Sequence, residues 1–382
     1  MSTRVDDIRR RFGDFAEAYP QLPLYNAICS QAITDEVACE LLLAARPGQE
    51  RPVLLLAALH ELVLQPDPGV AQREAGRWFA SVVGREHLPP KAEWSAPGPW
   101  PDIRRLITEH HEELRHTIAT RTMQTNEVNR STYLLSMLGL LGVEAPVALV
   151  EFGTSAGLLL TPDHYDVQIE GAEGRVRWGD PASACRPRGQ QRDGHVRLGE
   201  LRLLPIVSRL GADLATIDPD DEGTLRWLQA CLWPDVPDRV ERFVAAVRQR
   251  RAMPVDQRPV LIDADLTDPV RVQAVLDRAV REANEPDPHV VVFTSWTLTY
   301  VERSRRAGFA SVLAEFAAST GLTVTWLSAE PAGGVPGLPS VQVVTNNEGT
   351  AQLGAQTWRG GADPVVRSLG TADPHGRWLD LG

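Results

Sequence analysis

Lysine is almost missing: Lys91 is the only one in 382 residues. A G-x-x-x-x-G-K-[ST] phosphate loop therefore cannot exist, which excludes a P-loop NTPase. Schiff-base chemistry would have to run through that one residue, in a proline-rich loop. Cysteine is scarce as well. Cys29, Cys39, Cys185 and Cys231 are scattered with no C-x-x-C, so zinc-finger spacing is absent and a disulfide framework is not expected. No apolar run approaches 18 residues, and the start of the chain lacks an apolar segment of the signal-peptide kind. A soluble, cytoplasmic protein without a membrane partner is expected. Positive charge is also short: 39 Lys and Arg against 50 Asp and Glu give a net charge of −11. That argues against nucleic acid as a partner. Arg248 to Arg251, and Arg303 with Arg305 and Arg306, sit in helical patterns flanked by acids and read as solvated faces.

What is present is ordinary globular usage, 43% hydrophobic and 23% charged. A chain this long buries a sizeable core. Residues 1–145 read as helical, in stretches 5–18, 24–33, 36–45, 53–64, 71–83, 102–120 and 126–141. Residues 88–101, with five prolines and two tryptophans, read as a linker. If Trp78, Trp94 and Trp100 form a lid over the sheet edge, they line an apolar acceptor pocket. From Pro146 the pattern changes. Short apolar runs at 147–152, 206–212, 259–262, 290–293 and 322–327 alternate with helical stretches at 224–232, 237–250, 269–282 and 303–319, which predicts a parallel α/β sheet over 146–382. Residues 165–178 read as an inserted hairpin, and 341–344 with 351–358 as a terminal antiparallel one.

The segment most informative about function is Glu151-Phe-Gly153-Thr154-Ser155-Ala-Gly157, which follows the first strand and opens toward a predicted helix. Gly153 and Gly157 allow a tight turn and a close ligand approach. Asp213, Asp263 and Asp265 lie at later strand ends, and Ser295 with Trp296 ends the fourth strand. Ligands of open α/β sheets bind at such ends. In Gln124-Thr-Asn126-Glu-Val-Asn129-Arg130, a helix would put Asn126, Asn129 and Arg130 on one face, able to clamp a carboxylate; a capping network explains them equally well.

Residues 151–157 resemble motif I of class I S-adenosylmethionine-dependent methyltransferases. Nearly the whole chain resembles the bacterial DUF2332 family, through 124–130, 151–157, 179–183, 211–218, 227–234 and 291–296. The resemblance implies a Rossmann-like methyltransferase-type sheet behind an all-helical N-terminal cap domain, with S-adenosylmethionine as cofactor and a small-molecule acceptor. Glu151, Gly153, Thr154, Ser155 and Gly157 would face the methionine part. Asp213 would accept from the ribose, Asp265 and Leu266 would lie near the adenine, and Ser295 would border the cofactor. Gln124, Asn126, Asn129, Arg130 and Trp296 would serve the substrate. Should the acceptor need a base, His164, Asp166 and Tyr300 are the candidates. Two departures stand out. Leu159 stands where the family pattern has asparagine, and 60 positions separate Gly153 from Asp213, where ~20 is usual in simple dinucleotide folds.

Three other readings compete. Gly153-Thr-Ser155-Ala-Gly157 also spells G-x-S-x-G, a serine-hydrolase elbow with an acid such as Asp263 and with His289 or His375. A Rossmann-like protein could bind its ligand without turning it over. Glu109, Glu113 and His116 fall at helical metal-ligand spacing but lack a second E-x-x-H, so no metal is expected.

Overall fold

The computed structural model describes residues 2–95, 97–142, 145–192, 195–341 and 349–382. It divides into two compact units, Met1–Asn126 with Asp220–Val244, and Glu127–Pro219 with Ala245–Gly382. The division thus falls at 126 rather than at the 145 of the sequence pattern, and a later segment returns to the first unit.

The first unit is helical: α1 (Ser2–Ala18), α2 (Pro23–Ala32), α3 (Glu36–Leu42), α4 (Pro52–Val63), α5 (Val70–Gly76), α6 (Ala80–Val83), α7 (Trp100–Glu109) and α8 (His111–Thr120). After α9 (Ser131–Leu140), which belongs to the second unit, α10 (Glu222–Ala230) and the start of α11 (Pro237–Ala252) complete it. α4 is apolar nearly all round and is buried, as expected of a central helix. Trp227, Ala230 and Cys231 of the returning segment share its core. α2 has no side-chain cap of its own, and Asp235 supplies one, accepting from Leu24 N (3.0 Å) and Tyr25 N (3.1 Å). The helix expected over 102–120 breaks at His110. This interrupts the helical spacing of Glu109, Glu113 and His116; Glu109 pairs with Arg105, and Glu113 with His110. Trp78 meets Trp94 edge-on at 5.0 Å, and Trp94 and Trp100 pack on this unit's own core.

The second unit holds one 11-stranded sheet of β1 (Val147–Phe152), β2 (Asp166–Gly171), β3 (Gly174–Gly179), β4 (Arg188–Gln191), β5 (Ile206–Asp213), β6 (Val260–Asp263), β7 (His289–Ser295), β8 (Thr323–Pro331), β9 (Ala351–Arg359), β10 (Val365–Ala372) and β11 (Trp378–Leu381). The order is β3-β2-β4-β11-β10-β9-β8-β7-β1-β5-β6. The block β6-β5-β1-β7-β8 is parallel throughout. In order of appearance these strands run 3-2-1-4-5, the order of doubly wound nucleotide-binding sheets, with the switch point between β1 and β7. Every residue of β1 and β7 is buried, because both faces are covered. Ala148, Val150 and Phe152 pack with α12 (Pro269–Ala283) and α13 (Arg303–Thr320), while α9 brings Tyr133 to within 6.5 Å of Phe293.

The inserted hairpin is present as β2 and β3. The terminal hairpin is not as expected. β9 pairs with β8 on one side and β10 on the other, and 342–348 lie outside the described residues. The polar stretch Arg188–Gln191 also enters the sheet, between β2 and β11. The helix expected from 126 begins at Ser131, after a 3₁₀ turn at Val128–Arg130.

Candidate functional site

β1 ends between β5 and β7, and the turn that follows is locked to both. Gly153 N and Thr154 N donate to Ala212 O at 2.8 and 3.2 Å. Gly153 has φ +79°, and a Cβ there would come within 2.2 Å of Thr297 Oγ1. That hydroxyl is itself held, donating to Phe152 O at 3.0 Å. Ser155 (φ 52°) and Gly157 (φ 69°) are also left-handed. Ser155 N donates to Asp213 Oδ2 at 2.8 Å. A 3₁₀ turn, Leu158–Leu160, follows in place of the expected α-helix. The turn therefore lacks a full helix dipole, and its donors are individual backbone N–H groups.

Around this turn lies an unusual set of charges. Glu151 is 4% exposed and accepts from Thr154 Oγ1 at 2.7 Å. Burial pushes its carboxyl up to about 8, against the pull of the Thr154 hydrogen bond and the Arg130 charge. At the end of β8, Glu330 is wholly buried and is pushed up to about 7 by burial. It clamps the turn after β7, accepting from Thr297 N (3.0 Å) and Leu298 N (3.2 Å). Arg130, 6% exposed, acts electrostatically on both acids. Its Nε donates to Pro374 O (3.0 Å) and its Nη1 to Ser295 O (3.2 Å). Ser295 Oγ pairs with Tyr133 OH at 2.8 Å. Trp296 is left-handed at φ 58°, and its indole Nε1 is buried without a hydrogen-bond partner. Strain and an unsatisfied donor on one residue make Trp296 a candidate position.

The acids on the other side of β1 are less free. Burial raises the Asp213 carboxyl above the usual range, against the Ser155 N–H. Asp263 accepts from Thr216 N (2.8 Å) and Oγ1 (2.7 Å). Asp265 accepts from Thr267 N and Oγ1, both at 2.7 Å, and these bonds lower its carboxyl. Leu266 next to it is nearly buried, at 9% exposure.

Other candidates from the sequence fall elsewhere. Asp166 is buried and bound by Arg177, Arg188 and Gln168. Burial raises its carboxyl, but these hydrogen bonds outweigh that and lower it. It anchors β2 and is badly placed to accept a further proton. His164 sits beside Arg209 and lines a cleft with residues 206–210, the amino-terminal half of β5. Tyr300 is 81% exposed. Gln124 and Asn126 belong to the helical unit. Asn129 does not share a helical face with Arg130. Its amide spans Arg188 N (2.7 Å), Arg188 O (2.9 Å) and His375 O (3.1 Å), stitching two segments together. His289 pairs in register with Val147, at the opposite end of β1 from Ser155, and bonds Thr325 Oγ1 at 2.7 Å; it is no partner for an elbow serine. Among the described residues no group of three or more His, Cys, Asp or Glu forms a cation cage. No helix among them is long and apolar enough to cross a membrane.

The sequence pattern gave no sign of Glu330 or of the pair Glu127–His375. Glu127 is 3% exposed, and its Oε2 lies 3.6 Å from His375 Nδ1.

Comparison with protein families finds one model, described as "Uncharacterized protein conserved in bacteria (DUF2332)", that matches residues 9–381. No curated protein and no solved structure matches the chain.

Proposed function

We propose that this chain, which belongs to the DUF2332 family, is an S-adenosylmethionine-dependent methyltransferase acting on a small-molecule acceptor. One observation carries this reading. A parallel block in the order 3-2-1-4-5 ends, beside its switch point, in a left-handed turn of Gly153, Ser155 and Gly157, with buried Glu151 on its first strand and acids ending the next two. Nucleotide-like ligands of open α/β sheets bind there.

When bound, S-adenosylmethionine supplies a methyl group already activated on a sulfonium sulfur. The residues present fit such a ligand. Glu151 is a buried carboxyl that holds its proton near neutral pH and would give it up against a cation. Gly153, Thr154, Ser155 and Gly157 would follow the methionine part, where the absence of side chains at the glycines lets the backbone approach. Asp213 would accept from a ribose hydroxyl, and Asp265 with Leu266 would border the adenine. Ser295, Arg130 and Trp296 would bound the acceptor, with the indole N–H as an orienting donor. The chain's main contribution is alignment and exclusion of water.

Isothermal titration with S-adenosylmethionine tests this. Micromolar binding is expected. At pH 7, release of a proton from Glu151 is expected on binding, from its raised value of about 8. The release is read from the heat in buffers of different ionisation enthalpy and disappears in Glu151→Gln. A folded protein that binds neither S-adenosylmethionine nor S-adenosylhomocysteine would overturn the reading. Binding with no S-adenosylhomocysteine formed in the presence of any acceptor would favour a ligand-binding protein without turnover. The φ of 52° at Ser155 is the one feature that favours a hydrolase elbow. Labelling of Ser155 by a fluorophosphonate probe, absent in Ser155→Ala, would support that second reading.

A further inference from the structure

We infer that the cleft at the amino-terminal end of β7 and β8 binds a small organic anion, a carboxylate or a phosphate monoester, through Arg359 and Arg367. The strand registers bring its residues together. Val291 pairs with Thr325, Thr325 with Thr357, and Thr357 with Val365. Paired residues share a face, and alternate residues return to it. His289, Thr323, Thr325, Thr357, Arg359 and Arg367 therefore project from one side of the sheet, and all six line the cleft. The opposite side is apolar there: Val290, Val292, Val324 and Trp326 pack with α12 and α13. Farther along the first side, α9 covers Phe293 with Tyr133. α9 ends at Leu140, whose carbonyl accepts from Arg367 Nη1 at 3.1 Å. Past that end the polar row floors a cleft of about 590 Å³, a size at which small-molecule sites are found. β7 spans 7 residues, from His289 in the cleft to Ser295 beside the switch point, so about 20 Å separates the two places.

In a chain of net charge −11, this cleft gathers positive charge. Asp287 stands on its rim, yet among the described residues no carboxylate forms an ion pair with Arg359 or Arg367. Guanidinium forks match the paired oxygens of a carboxylate or a phosphate. Behind them lies a chain of hydrogen bonds. His289 Nε2 is 2.7 Å from Thr325 Oγ1, which is 2.8 Å from Thr357 Oγ1. Thr325 is fully buried, and Thr357 is half-buried at the cleft wall. Burial and the Arg359 charge lower the His289 ring to about 4, so it is neutral at pH 7. With the ring proton on Nε2, the donors point outward: Nε2–H to Thr325, Thr325 to Thr357, and Thr357 to the ligand. A bound anion selects this direction, and with it the Nε2–H tautomer. Leu141, Leu322 and Val365, the last 58% exposed, add an apolar wall for the body of the ligand. An inorganic anion leaves that wall and most of the volume unused.

The test is isothermal titration of the full chain with phenyl phosphate, benzoate, inorganic phosphate and the neutral phenol, with NMR of labelled histidine ring nitrogens alongside. At least one of phenyl phosphate and benzoate is expected to bind with a Kd below about 1 mM, and phenol and inorganic phosphate at least about tenfold more weakly. The tighter of the two organic anions identifies the head group as phosphate or carboxylate. Arg359 and Arg367 are exposed, so Arg359→Gln and Arg367→Gln should keep the fold, and each is expected to weaken binding about tenfold. The His289 nitrogen signals are expected to move toward the Nε2–H tautomer on binding. Val143 and Glu144 fall in sequence between two lining residues and outside the described residues, so Glu144→Gln is the third variant. Binding of neither organic anion overturns the inference, as does equal binding by both arginine variants and the unaltered chain, or an unmoved His289 signal. Binding that appears only in Glu144→Gln overturns it too, because the chain's own acid would then fill the cleft. The outcome does not depend on whether the chain binds S-adenosylmethionine.

Discussion

At the scale of single residues, the candidate site is held in shape by a few positions that tolerate nothing else. Gly153 is the clearest. Its φ of +79° is costly for any residue with a Cβ, and the atom that a Cβ would meet is tethered to Phe152 O. Gly153→Ala is therefore expected to lower stability by about 2–4 kcal/mol, measured by urea denaturation. A change under about 0.5 kcal/mol would mean that the turn relaxes freely and is not preorganised. Leu159 is 9% exposed and lies in an apolar 3₁₀ turn between Leu158 and Leu160, where it offers packing and no polar group.

Among elements, the parallel strands were legible because strands covered on both faces are continuous apolar runs. Val147–Phe152 and His289–Ser295 are buried at every position, and their sequences read that way. β4 was not legible, since Arg-Gly-Gln-Gln carries no apolar signal and enters the sheet by pairing with β2 and β11. β10 was missed for a similar reason: Val-Val-Arg-Ser-Leu-Gly-Thr-Ala is half exposed, and its partners are set by tertiary pairing. The glycine turn and the acids at strand ends were visible as local patterns. Glu330 was not, nor was the proximity of Glu127 to His375, because each acquires meaning only from a neighbour distant in sequence. The pairing of Asp166 with two arginines and the exposure of Tyr300 are likewise set by tertiary placement. The cap on α2 is another element completed from afar. Asp235→Ala should destabilise the helical unit by about 1–2 kcal/mol, and Asp235→Asn by less, because its amide keeps one acceptor oxygen where the carboxyl group offers two. Equal losses in urea melts would show that a single acceptor oxygen does not serve the cap.

For the molecule as a whole, three buried carboxyls and two buried histidines shape the response to pH. Burial raises Glu151 to about 8, Glu330 to about 7 and Asp235 to about 6, each well above the ordinary carboxyl range. A raised acid stabilises the fold below its unfolded value and loses that contribution as pH rises through its folded value. Burial lowers His60 and His289 to about 4, and these act in the opposite sense up to about pH 6.5, so the unliganded protein should weaken chiefly between about pH 6.5 and 8. On the acid side, Asp166 acts in the opposite sense, because its arginine partners favour the ionised form. A urea midpoint that is flat or rising between about pH 6.5 and 8 would count against the buried, protonated state of Glu151 and Glu330. The route of the chain carries a consequence in time. The core of the helical unit includes Trp227, Ala230 and Cys231, and α2 waits for Asp235, yet the first segment of that unit ends at Asn126. At about 5–20 residues per second, a ribosome finishes the first eight helices roughly 6–24 s before it has made the residues that seal them. During that interval the nascent helices stand open along an apolar seam, and a chaperone at the tunnel exit has its clearest target there.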